Sequence, residues 1–343
     1  MALSPVSGPR PAALARWLWL VALLVIVVVG VGGITRLTES GLSITEWRPV
    51  SGVIPPTNEA DWIEEFEKYK QIPEYKEINK GMSLDAFKAI FFWEWLHRIL
   101  GRIVGAAMLV PLAWYAWRRA IPPGYGWRLF ALTSLVGLQG AIGWWMVASG
   151  LEYRVDVSHY RLAAHLLTAL FLLAGLVWTA RDLSALARDR RARPARLTGF
   201  AVGVIAIVFV QLLLGAWVAG LNAGQVANTW PLMNDHLVPE GIDWTGGVWL
   251  TVTNDPFLLH FLHRWWSWVA TAALLWLALR LWRRGARSEV WLLVAGVAVQ
   301  MALGIATVLT GVALWIAVAH QVVGAILVAI VAAGLHREGR RAG

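Results

Sequence analysis

The sequence predicts an all-α polytopic membrane protein, with eight transmembrane helices arranged as two pseudo-symmetric four-helix bundles. Three observations predict it. Of 343 residues, 58% are hydrophobic and only 15% charged, whereas soluble chains carry about 25% charged residues. Tryptophan occurs 23 times, and lipid–water interfaces favour it. The apolar residues fall in unbroken runs of about 20, long enough to cross a bilayer as helices. These features exclude a soluble enzyme, a disordered chain and an outer-membrane barrel, whose strands alternate.

Taken in order, the spans fall near 17–34, 89–117, 127–148, 160–180, 197–220, 258–282, 289–310 and 313–335. The start of the chain is rich in Pro and Ala and shows no cleavable signal pattern before Trp17, so the first span is expected to stay. Arg10 and Arg16 precede it, Arg118 and Arg119 follow the second span, and Arg128 opens the third. The segment 181–196 holds six Arg against two Asp. Arg280, Arg283, Arg284 and Arg287 separate the sixth and seventh spans, and Arg337, Arg340 and Arg341 close the chain. All lie on one side if even spans run inward, which predicts cytoplasmic N- and C-termini. The net charge of +9 is then explained by loops facing anionic lipid, not by nucleic acid.

Two long loops occupy the other side. Residues 35–88 contain ten acidic and seven basic residues, including all five lysines. The stretch EEFEKYKQIPEYKEINK within them predicts a short amphipathic helix. Residues 221–257 are rich in Gly, Asn and Trp. Loops of this length are solvated connectors or functional lids.

The two halves repeat. Glu94-Trp95-Leu96-His97-Arg98 in the second span answers His260-Phe261-Leu262-His263-Arg264 in the sixth, Ala164-His165 answers Ala319-His320, and Gln139…Gly143 answers Gln300…Gly304. A tandem duplication divides the chain into an N-terminal half, 1–180, a basic linker, 181–196, and a C-terminal half, 197–343. His97, His165, His263 and His320 each lie five to nine residues into an even span, about 8–13 Å below the outer face at roughly 1.5 Å per residue. Two per half at one depth suit a bis-histidine haem, in which two helices offer neutral imidazoles to one iron. Both pockets are then expected to open beneath the two outer loops. The residue four positions after each histidine is small (Gly101, Ala169, Ser267 and Gly324), which leaves clearance for a porphyrin. An intramembrane histidine alone is more often a helix-to-helix hydrogen-bonding group, so the four together carry the reading. His159, His236, His260 and His336 are assigned no iron.

Glu94 is costly inside a span and stands one turn before His97. The matching position in the other half is His260, so the two sites are expected to differ, one having a carboxylate for proton transfer. The alternative is a carboxylate merely paired with Arg98, Arg102 or another outer cation. The absence of cysteine excludes disulfides, iron–sulfur clusters and thiolate chemistry.

The chain resembles the haem A synthase family nearly end to end. The motifs are GGITRLTESGLSITEWRPVSGVIPP (32–56), EWLHRILGRIVG (94–105), LQGAIGWWMVASGL (138–151), YRLAAHL (160–166), GAWVAGLNAG (215–224), NTWPLM (228–233), FLHR (261–264) and AHQVVG (319–324). Lack of cysteine resembles the proteobacterial–mitochondrial branch, which has a long first outer loop. The resemblance implies that His263 and His320 are axial ligands of a haem b iron, that His97 and His165 hold the substrate haem O, and that Glu94 is the essential acid. It implies an oxidoreductase acting on a CH group: a porphyrin methyl becomes a formyl by successive hydroxylations, giving haem A for terminal cytochrome oxidase assembly. Arg36, Arg98 and Arg264 are candidates for propionate or loop contacts. The implied partners are haem O synthase, oxidase assembly factors, an electron acceptor and the lipid bilayer; homo-oligomerisation stays open. Two other functions fit paired histidines: a diheme, quinone-linked cytochrome b carrying electrons, and a haem transporter. A carrier crossing the bilayer would place its haems at two depths, and Glu94 favours chemistry over both.

Overall fold

The computed structural model describes residues 8–48 and 51–340; Arg341, one of the closing arginines, lies outside them. The described residues form helices and no strand. In chain order these are α1 (Pro11–Leu37), α2 (Glu59–Tyr69), α3 (Pro73–Glu77), α4 (Leu84–Trp117), α5 (Gly126–Leu151), α6 (His159–Arg188), α7 (Gly199–Gly220), α8 (Gly247–Asn254), α9 (Pro256–Arg283), α10 (Arg287–Leu309) and α11 (Leu314–Gly339). Seven of them (α1, α4, α5, α6, α7, α10 and α11) are long and apolar enough to cross a membrane. Helix α9, at 28 residues, is as long, but His260, His263, Arg264, Arg280 and several tryptophans dilute its hydropathy.

Local sequence explains the helix ends. Pro11 and Pro256 open α1 and α9 at positions where the missing N–H is not needed. Asp255, Ser83 and Thr198 accept a first-turn N–H of α9, α4 and α7. Helices α1 and α7 both run out into a left-handed residue, Glu39 at φ 51° and Asn222 at φ 52°. The basic segment 181–196 is not wholly a linker, because α6 continues through Arg188.

Helix α1 packs on α4, α6 and α11, and α6 also packs on α5, α7 and α11. Helix α9 lies against α7, α10 and α11. One buried core joins α1, α4, α5, α6 and α11; a second joins α7, α9, α10 and α11. Exposed tryptophans gather at the two ends: Trp114, Trp117, Trp127, Trp282 and Trp291 at the arginine end, and Trp145, Trp249, Trp265 and Trp315 at the loop end. Such girdles mark the two interfaces of a bilayer.

The loop 35–88 is largely folded. The expected amphipathic helix is α2, and its Phe66 and Tyr69 bury with Leu42, Ile72, Phe87, Phe91 and Val147 in a third core. Phe66 stacks on Phe87 at 4.9 Å. This small lid covers the loop ends of α4 and α5, and α4 starts earlier than expected, at Leu84, because its first turns belong to the lid core. In the second loop α8 forms without a clear sequence signal.

Candidate functional site

Four histidines recur in one setting. His97 on α4 and His165 on α6 face each other, ring centroids 6.4 Å apart and planes at 68°. In the other half His320 on α11 is near enough to His263 on α9 to act on it electrostatically. Each of the four rings lies against a glycine of a neighbouring helix. A Cβ on Gly32 of α1 would stand 2.9 Å from His97 Cε1, and one on Gly143 of α5 2.9 Å from His165 Cε1. For Gly215 of α7 and His263 the distance is 2.8 Å, and for Gly304 of α10 and His320 it is 3.1 Å. An added Cβ would force the ring to shift at Gly32, Gly143 and Gly215, and to give by a few tenths of an ångström at Gly304. In every case Cε1 and Nδ1 are the ring atoms nearest the glycine and Nε2 is farther away.

One turn before these glycines stand Val28, Gln139, Gln211 and Gln300 respectively. Three of these are glutamines that touch the histidine with their side chains. Gln139 Nε2 donates to the His165 carbonyl at 2.8 Å, Gln211 Nε2 lies 3.2 Å from His263 Nδ1, and Gln300 Nε2 lies 3.4 Å from His320 Nε2. Gly143 and Gly304 stand out in the sequence only as repeat matches beside Gln139 and Gln300, while Gly32, Gly215 and Gln211 are not singled out. A Q-x-x-x-G pattern, present at 139–143, 211–215 and 300–304, is the signal that finds Gln211 and Gly215.

Exposure separates these histidines from three of the others. His97, His165, His263 and His320 are all partly open, although Nδ1 of His97, His165 and His320 is itself sealed without a close partner. His159, His260 and His336 are each 2% exposed and hydrogen-bonded. His159 Nε2 lies 2.9 Å from the Thr253 carbonyl, His260 Nε2 accepts from Arg264 Nε at 3.1 Å, and His336 Nε2 lies 2.9 Å from Asp182. His159 and His260, near the loop ends of α6 and α9, are thus buried within the protein. His236 is exposed, 3.4 Å from Glu240.

Glu94 is buried beside the N-terminal pair at 3% exposure. Its Oε2 accepts from Ser43 Oγ and from the Ile44 N–H, both at 2.7 Å, and its Oε1 from Arg98 Nη2 at 2.6 Å. The ion pair with Arg98, weighed above as an alternative, is therefore present. Arg98 also donates to the carbonyls of Ile44 and Glu46. Arg264 does the same in the other half, donating to the carbonyls of Ala227 and Thr229 at 2.9 and 2.8 Å. Each arginine ties the loop-end segment of its half to the helix that carries the histidine. Arg36 Nη2 donates to Asn222 Oδ1 at 2.9 Å and so joins the two halves. Of the small residues expected to clear a porphyrin, Gly101 faces open space, while a Cβ at Gly324 would meet Gln300 at 3.3 Å.

Fold and site define a class: an all-α protein of membrane-length helices holding two histidine pairs, one beside a buried carboxylate. Within that class, the chain belongs to the cytochrome oxidase assembly protein family (COX15-CtaA), whose profile matches residues 15–332. It is 80% identical over 343 residues to a protein of Sphingopyxis alaskensis named "Heme A synthase", covering 99% of this chain and 97% of that one. Proteins of the same name from Erythrobacter litoralis and Rhizorhabdus wittichii are 56% and 54% identical, covering 95% and 94% of this chain and 97% and 93% of their own. The resemblance read from the motifs is borne out.

Proposed function

We propose that the chain carries out the synthesis for which these relatives are named, making haem A from haem O for cytochrome oxidase assembly. The observation that carries this reading is the facing pair His97 and His165 with Glu94 beside it. An iron about 2 Å from one nitrogen of each ring sets the ring centres about 6 Å apart, which the observed 6.4 Å matches. The Nδ1 edges turned toward the glycine seats favour Nε2 as the ligating atom. His97 and His165 would hold the substrate haem O. His263 and His320, seated the same way, would hold a resident haem b, which supplies one-electron transfer when bound. The methyl group is oxidised to a formyl by successive hydroxylations, and the electrons pass to an acceptor outside the chain. Glu94, held by Ser43, Ile44 and Arg98, is the proton-transfer group at the substrate site, and His260 has no such role.

We read all eight long helices as spans and the halves as related by a two-fold along the membrane normal. The contacts α1–α11 and α7–α6 are the pair such an axis would exchange, and α6–α11 would lie on it. The arginine-rich end is then cytoplasmic, in a bacterial inner membrane, and the lid is periplasmic. Haem O synthase, oxidase assembly factors and a second copy of the chain are the protein partners this reading admits.

The test is haem b per protein, together with conversion of haem O to haem A, in four variants. Glu94→Gln and His97→Ala should keep most of the haem b and make little haem A. His263→Ala and His320→Ala should lower or perturb the haem b, with activity lost in consequence. Normal turnover by Glu94→Gln, or haem b lost from His97→Ala but not from His263→Ala, would refute the division of roles.

A further inference from the structure

Glu94 is held by three donors and buried, so a proton it takes up at the N-terminal site needs an onward acceptor to reach water. The lid contains one. Glu74 on the short helix α3 is 4% exposed, and its Oε2 has no hydrogen-bond partner. Helix α3 packs on α5, the helix whose Gly143 seats His165. The groups that act on Glu74 come from every side of the lid: Glu94 of α4, Glu39 beyond α1, Asp156 between α5 and α6, and the Tyr69 phenol of α2. Three of the four are carboxyl groups. A buried carboxylate with one oxygen unpartnered and three other carboxyl groups acting on it would be destabilised.

We propose that Glu74 is a proton-relay residue of the lid, neutral at rest, that exchanges a proton between Glu94 and the aqueous phase over the lid. This rests on the haem A reading above: with water as the oxygen source and an acceptor outside the chain taking the electrons, turning a methyl into a formyl releases protons at a site closed by the lid. In each exchange one O–H bond of a carboxylic acid breaks and one forms on the other carboxyl group. Solvent then restores the starting protonation, and no redox partner enters the step. Burial, followed by the nearby Glu94, Glu39 and Asp156, pushes the Glu74 carboxyl from its ordinary 4.5 up to about 8. It is therefore protonated below that value and ionises as the pH rises through it. Burial likewise pushes the Tyr69 phenol up, so it stays a neutral neighbour, accepting from Asn79 Nδ2 at 2.8 Å.

The experiment is infrared spectroscopy of the purified full chain, with haem O conversion measured across the same pH range. The wild type should show the carbonyl band of a protonated carboxylic acid that fades as the pH passes about 8, and Glu74→Gln should lack it. Glu74→Gln should convert haem O several-fold more slowly while keeping the wild-type haem b spectrum, which reports that the protein is folded. Glu74→Asp should restore part of the rate with a displaced pH profile, a result that a merely structural role would not give. Persistence of the band in Glu74→Gln, or a wild-type rate in that variant at every pH, would overturn the proposal. A wild type that makes no haem A would bring down the functional reading and the relay with it; a fully active wild type with an unaffected Glu74→Gln brings down the relay alone.

Discussion

At the residue scale, the decisive contact is between an imidazole and a backbone that has no Cβ. A histidine on one helix reaches the backbone of the next because glycine leaves room, and at four positions the clearance is 2.8 to 3.1 Å. Below 3.0 Å, as at Gly32, Gly143 and Gly215, an added methyl group is taken up only if the ring shifts. Gly143→Ala should therefore push His165 off its seat and Gly215→Ala should displace His263. The expected outcome is weakened haem binding, seen in the absorbance of the purified protein as loss or a change of spin state. The controls lie on the same two helices: a Cβ at Gly137 or Gly203 meets nothing within 4 Å. Ala at those positions should leave the spectrum unchanged, and the helix gains up to about 1 kcal/mol from losing a glycine. Equal damage from the control and test variants would show that backbone flexibility, and not the seat, is what matters. Glu94 and His260 make the complementary point. They occupy matching positions under matching arginines, yet one is an ion pair at 2.6 Å and the other a nitrogen lone pair accepting at 3.1 Å.

At the element scale, Arg98 and Arg264 do what no short-range rule predicts: each fastens an irregular segment to a helix by its backbone carbonyls. A carbonyl in such a place has lost water, so removing its donor costs about 1–3 kcal/mol per group. The planar guanidinium serves several acceptors at once, and a lysine ammonium does not. Arg264→Lys should accordingly loosen the segment 226–232 while leaving α9 helical. Limited proteolysis should cut within 221–257 faster than in the wild type, and the melting temperature should fall. Unchanged proteolysis would show that α8 and the Asp255 cap hold the loop without Arg264. The lid is held in a different way, by the aromatic packing of Phe66, Tyr69, Phe87 and Phe91, which behaves as a small soluble core placed on top of a membrane bundle.

At the scale of the whole molecule, the halves are joined at both ends. Arg36 and Asn222 meet at the loop end. At the arginine end Asp182 of α6 accepts from Arg128 at 2.6 Å and from the Ala195 N–H at 2.8 Å, and lies 2.9 Å from His336 of α11. One buried carboxylate thus ties α5, the basic segment and α11 together. Asp182→Ala would leave a buried histidine and an N–H unpaired, a loss of about 3 kcal/mol. Thermal unfolding in detergent should show the fall. Because the cluster is far from the histidine pairs along α6, the haem absorbance expected from the proposed function should stay, below the melting temperature, as in the wild type. A spectrum altered at low temperature would mean that the two ends of the bundle are coupled.

The sequence by itself determined the all-helical membrane class, the arginine asymmetry and the identity of the paired histidines. Composition, hydropathy and the repeated E-W-L-H-R and H-F-L-H-R strings are carried by residues near one another along the chain. A period of 3.6 residues was enough to put Glu94 and His97 on one face of α4. What tertiary structure alone decided was which helix stands behind each ring, who neutralises Glu94, and that Glu74 is buried. Gly32 lies far from His97 in sequence, and Ser43 far from Glu94; a glycine in an apolar run reads as one small residue among many until another helix lies across it. Glu74 sits in a stretch of alternating charge that looks solvated from its composition. Its burial follows from the lid aromatics closing over it, a cooperative event among α2, α4 and α5 that no local pattern encodes.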